Sequence, residues 1–125
     1  MRIASLDHVV LTVADPVATL AFYERLGMRR EVFEDGRQAL HFGHQKINLH
    51  RAGAEIAPNA RNAVAGSGDL CFLIEGELDE VERLLESAGI AVELGPVEQT
   101  GAQGPLRSIY VRDPDGNLVE LAKPR

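Results

Sequence analysis

Arg112-Asp113-Pro114-Asp115-Gly116-Asn117-Leu118-Val119-Glu120-Leu121 reads as a strand end, a tight turn and a second strand. Pro114 presets φ for an early turn position, and Gly116 can take φ > 0. The run after the turn is aliphatic except for one carboxylate. Strand side chains alternate between faces, so Val119 and Leu121 share one face and Glu120 points to the other. A carboxylate fixed between apolar neighbours needs a cation, a metal or water. A solvated Glu on an exposed face is the plain alternative.

Upstream, Leu6 to Val13 reads as a strand with Val9, Leu11 and Val13 on one face and His8, Val10 and Thr12 on the other. Asp15 can cap the next helix, with Pro16 in its first position. The helix runs over 17–26, and Phe22 with Leu26 is the expected inward pair, because the hydroxyl of Tyr23 favours a wet edge. Gly27 ends it. Strands follow at 29–33, 38–42 and 46–50. Residues 51–67 are rich in Ala, Gly, Asn and Pro and read as a connector. The pattern then restarts: a strand at 69–74, a helix at 78–88 with Val81, Leu84 and Leu85 inward, a strand at 90–94, a loop at 95–106, and strands at 107–112 and 118–121. The loop's stretch from Gln99 to Leu106, with Gly101, Gly104 and Pro105, is long enough for a lid, with a mobile surface loop as the bland alternative.

The chain therefore reads as one domain, 1–125. It is an α+β fold of two βαβββ modules in tandem, whose mixed sheets form a cleft: module one at 1–52, a connector at 53–66 and module two at 67–125. The duplication makes His8 and Asp69 equivalent positions, and likewise Asn48 and Glu120. If the two sheets pair about a pseudo-twofold, these four converge in the cleft. One imidazole, two carboxylates and an amide suit a divalent ion with an open position.

Composition narrows the partners. With 13 Lys and Arg against 19 Asp and Glu, the net charge is −6, and no basic run exceeds Arg29-Arg30. Nucleic acid and anionic membranes are poor partners for such a chain. Cys71 is the only cysteine, which excludes an internal disulfide and fits a reducing compartment. No apolar run spans a bilayer and the first residues do not build a signal peptide, so a cytoplasmic location is expected.

Three motifs carry a resemblance: Leu6-Asp7-His8-Val9-Val10-Leu11-Thr12-Val13-Ala14-Asp15, Phe22-Tyr23-Glu24-Arg25-Leu26-Gly27-Met28, and Asp113-Pro114-Asp115-Gly116-Asn117-Leu118-Val119-Glu120. In this order they resemble the vicinal oxygen chelate superfamily, in its glyoxalase/bleomycin-resistance/extradiol dioxygenase form. The stretches 46–50, 66–72 and 95–102 resemble its glyoxalase-domain or dioxygenase-III-related subgroup. The resemblance implies a divalent metal (Ni, Zn, Mn or Fe) that chelates vicinal oxygens of a small-molecule substrate. His8 and Glu120 match the family's ligand positions, and Asp69 completes the set. Asp69 stands where many members carry His, and Asn48 where glyoxalase I-like members carry Glu. His50 keeps to Asn48's face, as a second imidazole or a base. The resemblance also implies a homodimer.

The expected function is a metal-dependent lyase or isomerase of the glyoxalase type, similar to lactoylglutathione lyase. Glu120 or His50 moves the proton, and Asn48, Tyr110 and Arg112 contact substrate. An extradiol-type dioxygenase with Fe(II) and a metal-free ligand-binding or resistance protein are the alternatives. His41 and His44 read as surface residues, and Cys71 as a small buried one.

Overall fold

The computed structural model describes residues 1–125. The chain forms two compact units, Met1–Ser67 and Gly68–Arg125. The first holds β1 (His8–Val13), α1 (Pro16–Arg25), β2 (Arg29–Phe33), β3 (Arg37–Phe42) and β4 (Gln45–Arg51), with strand order β1-β4-β3-β2. The second holds β5 (Asp69–Leu73), α2 (Leu78–Ala88), β6 (Leu94–Gly101), β7 (Gly104–Arg112) and β8 (Leu118–Pro124), with order β5-β8-β7-β6. In each, the first strand pairs parallel with the last and the other neighbours pair antiparallel. The fold is α+β, two βαβββ modules in tandem, as the duplicated pattern predicts. Residues 53–66 fall within the first unit. No helix is long and apolar enough to cross a membrane.

Local chemistry sets the element ends. Asp15 caps α1: its Oδ1 accepts from Val17 N at 3.0 Å and Ala18 N at 3.4 Å, with Pro16 in the first turn. Gly89 closes α2 at φ 70°. The inward face of α1 differs from the Phe22 and Leu26 expectation. Thr19, Leu20, Phe22 and Tyr23 are buried and Leu26 is only half-buried. The rings of Phe22 and Tyr23 meet edge to face at 5.0 Å, and the ring area of Tyr23 outweighs its hydroxyl's preference for water. In α2, Leu78 and Leu85 are buried, whereas Leu84, expected inward, is 39% exposed.

The largest departure lies at 95–106. The expected lid loop is a β-hairpin: β6 pairs β7 from Val97↔Ser108 to Gly101↔Gly104, leaving Ala102 and Gln103 as its tip. Prolines suggested a loop, but β6 is an edge strand with a register irregularity between Leu94 and Val97, where Pro96 is tolerated. Gly95 is required there. At φ +115° an added Cβ would lie 2.5 Å from the Ser108 carbonyl oxygen and 3.0 Å from Ile109 Cα. Gly95→Ala is therefore expected to destabilise the fold by at least about 2 kcal/mol, read as a lower urea midpoint. An unchanged midpoint would mean the backbone relaxes freely at this point.

The turn at 113–117 is tied by side chains. Buried Asp113 accepts through Oδ1 from Asp115 N (2.9 Å) and Asn117 N (3.0 Å), and through Oδ2 from Asn117 Nδ2 (2.7 Å). Asn117 Oδ1 accepts from Gly68 N at 2.6 Å, and Leu118 N donates to Gly68 O at 3.0 Å. Asn117 thus fastens the residue before β5 to the start of β8, which sets the register Asp69↔Leu118 and Cys71↔Glu120.

Candidate functional site

In the first unit, the alternation of β1 and β4 puts His8, Val10 and Thr12 on one face with Lys46, Asn48 and His50. His8, Asn48 and His50 therefore share a sheet face, as the strand pattern predicts. His8 has a 42% exposed side chain, and its Nδ1 donates to Asp7 Oδ2 at 2.7 Å. That bond selects the tautomer whose Nε2 keeps a free lone pair, the arrangement common to ligating histidines. Asn48 and His50 are 5% and 4% exposed, and Asn48 Oδ1 and His50 Nδ1 are buried with no hydrogen-bond partner. Leaving such groups unpaired costs free energy in a fold. His44 is exposed, while half-buried His41 pairs with Glu31 at 2.9 Å.

In the second unit, Asp69 and Cys71 of β5 share a face with Leu118 and Glu120 of β8 and with Ser108, Tyr110 and Arg112 of β7. Cys71, Glu120 and Tyr110 form one cross-strand row. Glu120 accepts from Ser108 Oγ at 2.5 Å, and the Tyr110 hydroxyl also donates to it. Ser108, fully buried, was not singled out for the site; its alternation with Tyr110 was the available signal. Asp69 is exposed at the head of β5. Arg112 lies on the same face, but its guanidinium is engaged: Nε and Nη2 donate to Glu93 at 2.9 and 2.8 Å, and Nη1 to Gly116 O at 3.1 Å. This bidentate pair lowers the Glu93 carboxyl and raises Arg112.

The two modules place their key residues alike. Asn48 lies two residues past Lys46, the partner of His8, and Glu120 two past Leu118, the partner of Asp69. The equivalences His8/Asp69 and Asn48/Glu120 thus hold in strand register.

Cys71 differs from expectation: it is exposed rather than buried. Its thiol is pushed up to about 11, first by desolvation and then by the Glu120 carboxylate. Tyr110 is pushed up to about 12, by desolvation and then by its hydrogen bond to Glu120. Both are neutral near pH 7, so Cys71 is not a thiolate nucleophile there. Both raised values favour the protonated native state. The stability they lend is complete below the ordinary values of 9.0 and 10.0 and is lost as pH rises towards about 11 and 12. Urea midpoints are expected to fall across that window, and less steeply in Cys71→Ser and Tyr110→Phe. Parallel profiles for parent and variants would contradict the assignment.

The sequence matches the Glyoxalase/Bleomycin resistance protein/Dioxygenase superfamily over residues 5–121, and the chain belongs to that superfamily. Glyoxalase domain-containing protein RDO1 of Mycosarcoma maydis is 51% identical over 122 residues, covering 98% of this chain and 69% of that protein. Virulence protein STM3117 of Salmonella typhimurium is 48% identical over 124 residues, 98% of this chain and 86% of that protein. Its crystal structure matches with a TM-score of 0.98 at 47% identity over all of both chains. Lactoylglutathione lyase of Pseudomonas aeruginosa is more distant, 28% identical over 148 residues, 94% of this chain and 81% of that protein.

Divalent metals are common among superfamily members. Taken singly, one side chain in each unit is of a donor type that such ions take: in the first, His8 offers Nε2 with Nδ1 held by Asp7, and in the second, Glu120 offers a carboxylate oriented by two hydroxyls. The structure groups no three His, Cys, Asp or Glu side chains into one metal-holding set.

Proposed function

We propose that this protein is a divalent-metal-dependent lyase or isomerase of the glyoxalase type, acting on a small oxygen-chelating substrate. The observation that carries the reading is the preparation of two donors, His8 by Asp7 and Glu120 by Ser108 and Tyr110. His8, Asp69 and Glu120 are the proposed ligands. A divalent ion held by them would supply Lewis-acid polarisation of substrate oxygens.

The remaining steps belong to the chain's own groups. Glu120 and His50 are the candidate bases for moving a proton between adjacent carbons. The hydroxyls of Ser108 and Tyr110 fix the Glu120 carboxylate, so its orientation need not be found anew in each turnover. Asn48 and Tyr110 are proposed to orient the substrate. Arg112 takes part only if it leaves Glu93. The lactoylglutathione lyase relative supports the reaction type.

The test is conversion of the phenylglyoxal–thiol hemithioacetal to its thioester, followed by ultraviolet absorbance, with 2-mercaptoethanol or glutathione as the thiol. Metal-dependent conversion is expected, lost on chelation. Conversion that ignores chelation, or no conversion with any of the four metals, would overturn the reading. An extradiol-type dioxygenase is the second reading, favoured by His50 as an imidazole on the face of His8; oxygen uptake with a catechol under Fe(II) would select it.

A further inference from the structure

The second unit contains a cavity of about 540 Å³ on the Glu120 face, within the range that holds small molecules. Leu73, Ala102, Pro105 and Leu106 contribute carbon to its wall, and Cys71 and Glu120 also line it. The β6–β7 hairpin tip thus serves as a cavity wall. Leu73 is 61% exposed, a large apolar side chain open to solvent at the end of edge strand β5.

The charge around this cavity is distinctive. The second unit has five Lys and Arg against twelve Asp and Glu, whereas the first has eight against seven. Every one of the five cations is already paired. Arg83 meets Asp79 at 3.4 Å, Arg107 and Arg125 share Glu98 at 2.8 and 2.5 Å, Arg112 holds Glu93 at 2.8 Å, and Lys123 pairs with Glu77. Arg125 lines the cavity, yet its guanidinium is committed to Glu98. An anion entering here meets the Glu120 carboxylate and an acidic unit with no free cation. Burying an unpaired charge is costly.

We propose that the part of the substrate seated in this cavity is uncharged and apolar, an aliphatic or aromatic group, and that the carboxylates of glutathione are not accommodated here. The inference rests on the lyase or isomerase reading only in calling the ligand a substrate, because occupancy of the cavity requires neither metal nor turnover. The vicinal oxygens lie towards Glu120 and the carbon tail towards Leu73 and Leu106.

The test is a titration of the ¹⁵N-labelled, metal-free full chain with 1-(4-isopropylphenyl)-1,2-ethanediol and with 4-(1,2-dihydroxyethyl)benzoate, whose para groups match in shape and differ in charge. The neutral diol is expected to shift the amides of residues 100–106 and of Cys71, and the benzoate to bind at least about tenfold more weakly. Leu73→Lys places an unpaired cation at an exposed cavity position and is expected to reverse that preference. Equal or tighter binding of the benzoate by the parent chain would overturn the proposal. So would an absence of hairpin shifts with the diol, or an unchanged preference in Leu73→Lys. A chain that follows the expected binding pattern but converts no hemithioacetal would count against the proposed reaction and leave the cavity assignment standing.

Discussion

Alanine at Glu120 or at His8 is expected to lower divalent-metal affinity by at least the roughly 10–100-fold typical of losing an outer-shell partner, and to abolish metal-dependent turnover. The reason differs at each position. His8→Ala removes the imidazole whose Nε2 is left open by the 2.7 Å bond from Nδ1 to Asp7. Glu120→Ala removes the carboxylate that Ser108 and Tyr110 address, and it leaves the fully buried Ser108 hydroxyl without that acceptor. Glu120→Gln separates these effects. It keeps an acceptor for the hydroxyls but lacks the negative charge, so it should fold well and still bind metal poorly. It should also release part of the upward push on Cys71, because the Glu120 carboxylate is the next cause after desolvation. Thiol alkylation should then begin at lower pH than in the parent. Asp7→Ala is the milder case: it frees the His8 ring without removing a donor, so a partial loss is expected.

Asn117→Ala is expected to destabilise the fold by about 3 kcal/mol, in the range of two buried partners lost at once. The Gly68 N–H loses an acceptor at 2.6 Å, and the buried Asp113 carboxylate loses a donor at 2.7 Å. Asn117→Asp tests whether shape or hydrogen bonding matters. It is close to isosteric, yet it turns a carboxylate towards Asp113 in place of the Nδ2 donor, so it should be destabilised at least as much as alanine. If Asn117→Asp folds like the parent, the clamp contributes shape alone. Because this clamp sets Cys71 beside Glu120, both variants should also blur the site, seen as a lower thiol pKa at Cys71.

Much of this was legible in the sequence for a physical reason: strand alternation is strict. Together with the duplication it put His8, Asn48 and His50 on one face and Asp69 and Glu120 on another, and the register bears out both groupings; that Tyr110 and Arg112 share the Glu120 face follows only from the β7–β8 pairing. The duplication was legible because both modules repeat strand, helix and glycine stop in the same order. What escaped reading depended on partners distant in sequence. Arg112 looked available because Glu93 lies nineteen residues away. Residues 95–106 looked like a loop because Gly and Pro signal loops, and only the place of β6 at the sheet edge makes them tolerable. Cys71 looked buried because cysteines usually are, whereas its open position follows from sharing the face of Glu120. Asn117 stood in plain sight after Gly116. Its role as a clamp requires Gly68 to arrive alongside it, forty-nine residues earlier in the chain.

The proposed function requires that His8 and Glu120 hold a divalent ion. The most direct test is elemental mass spectrometry of the parent chain, His8→Ala and Glu120→Ala, each purified without chelator or affinity tag and then loaded with Ni, Zn, Mn or Fe and desalted. About one ion per parent chain and little in either variant are expected. Variants that retain as much metal as the parent, or a parent that takes up none of the four, would contradict it.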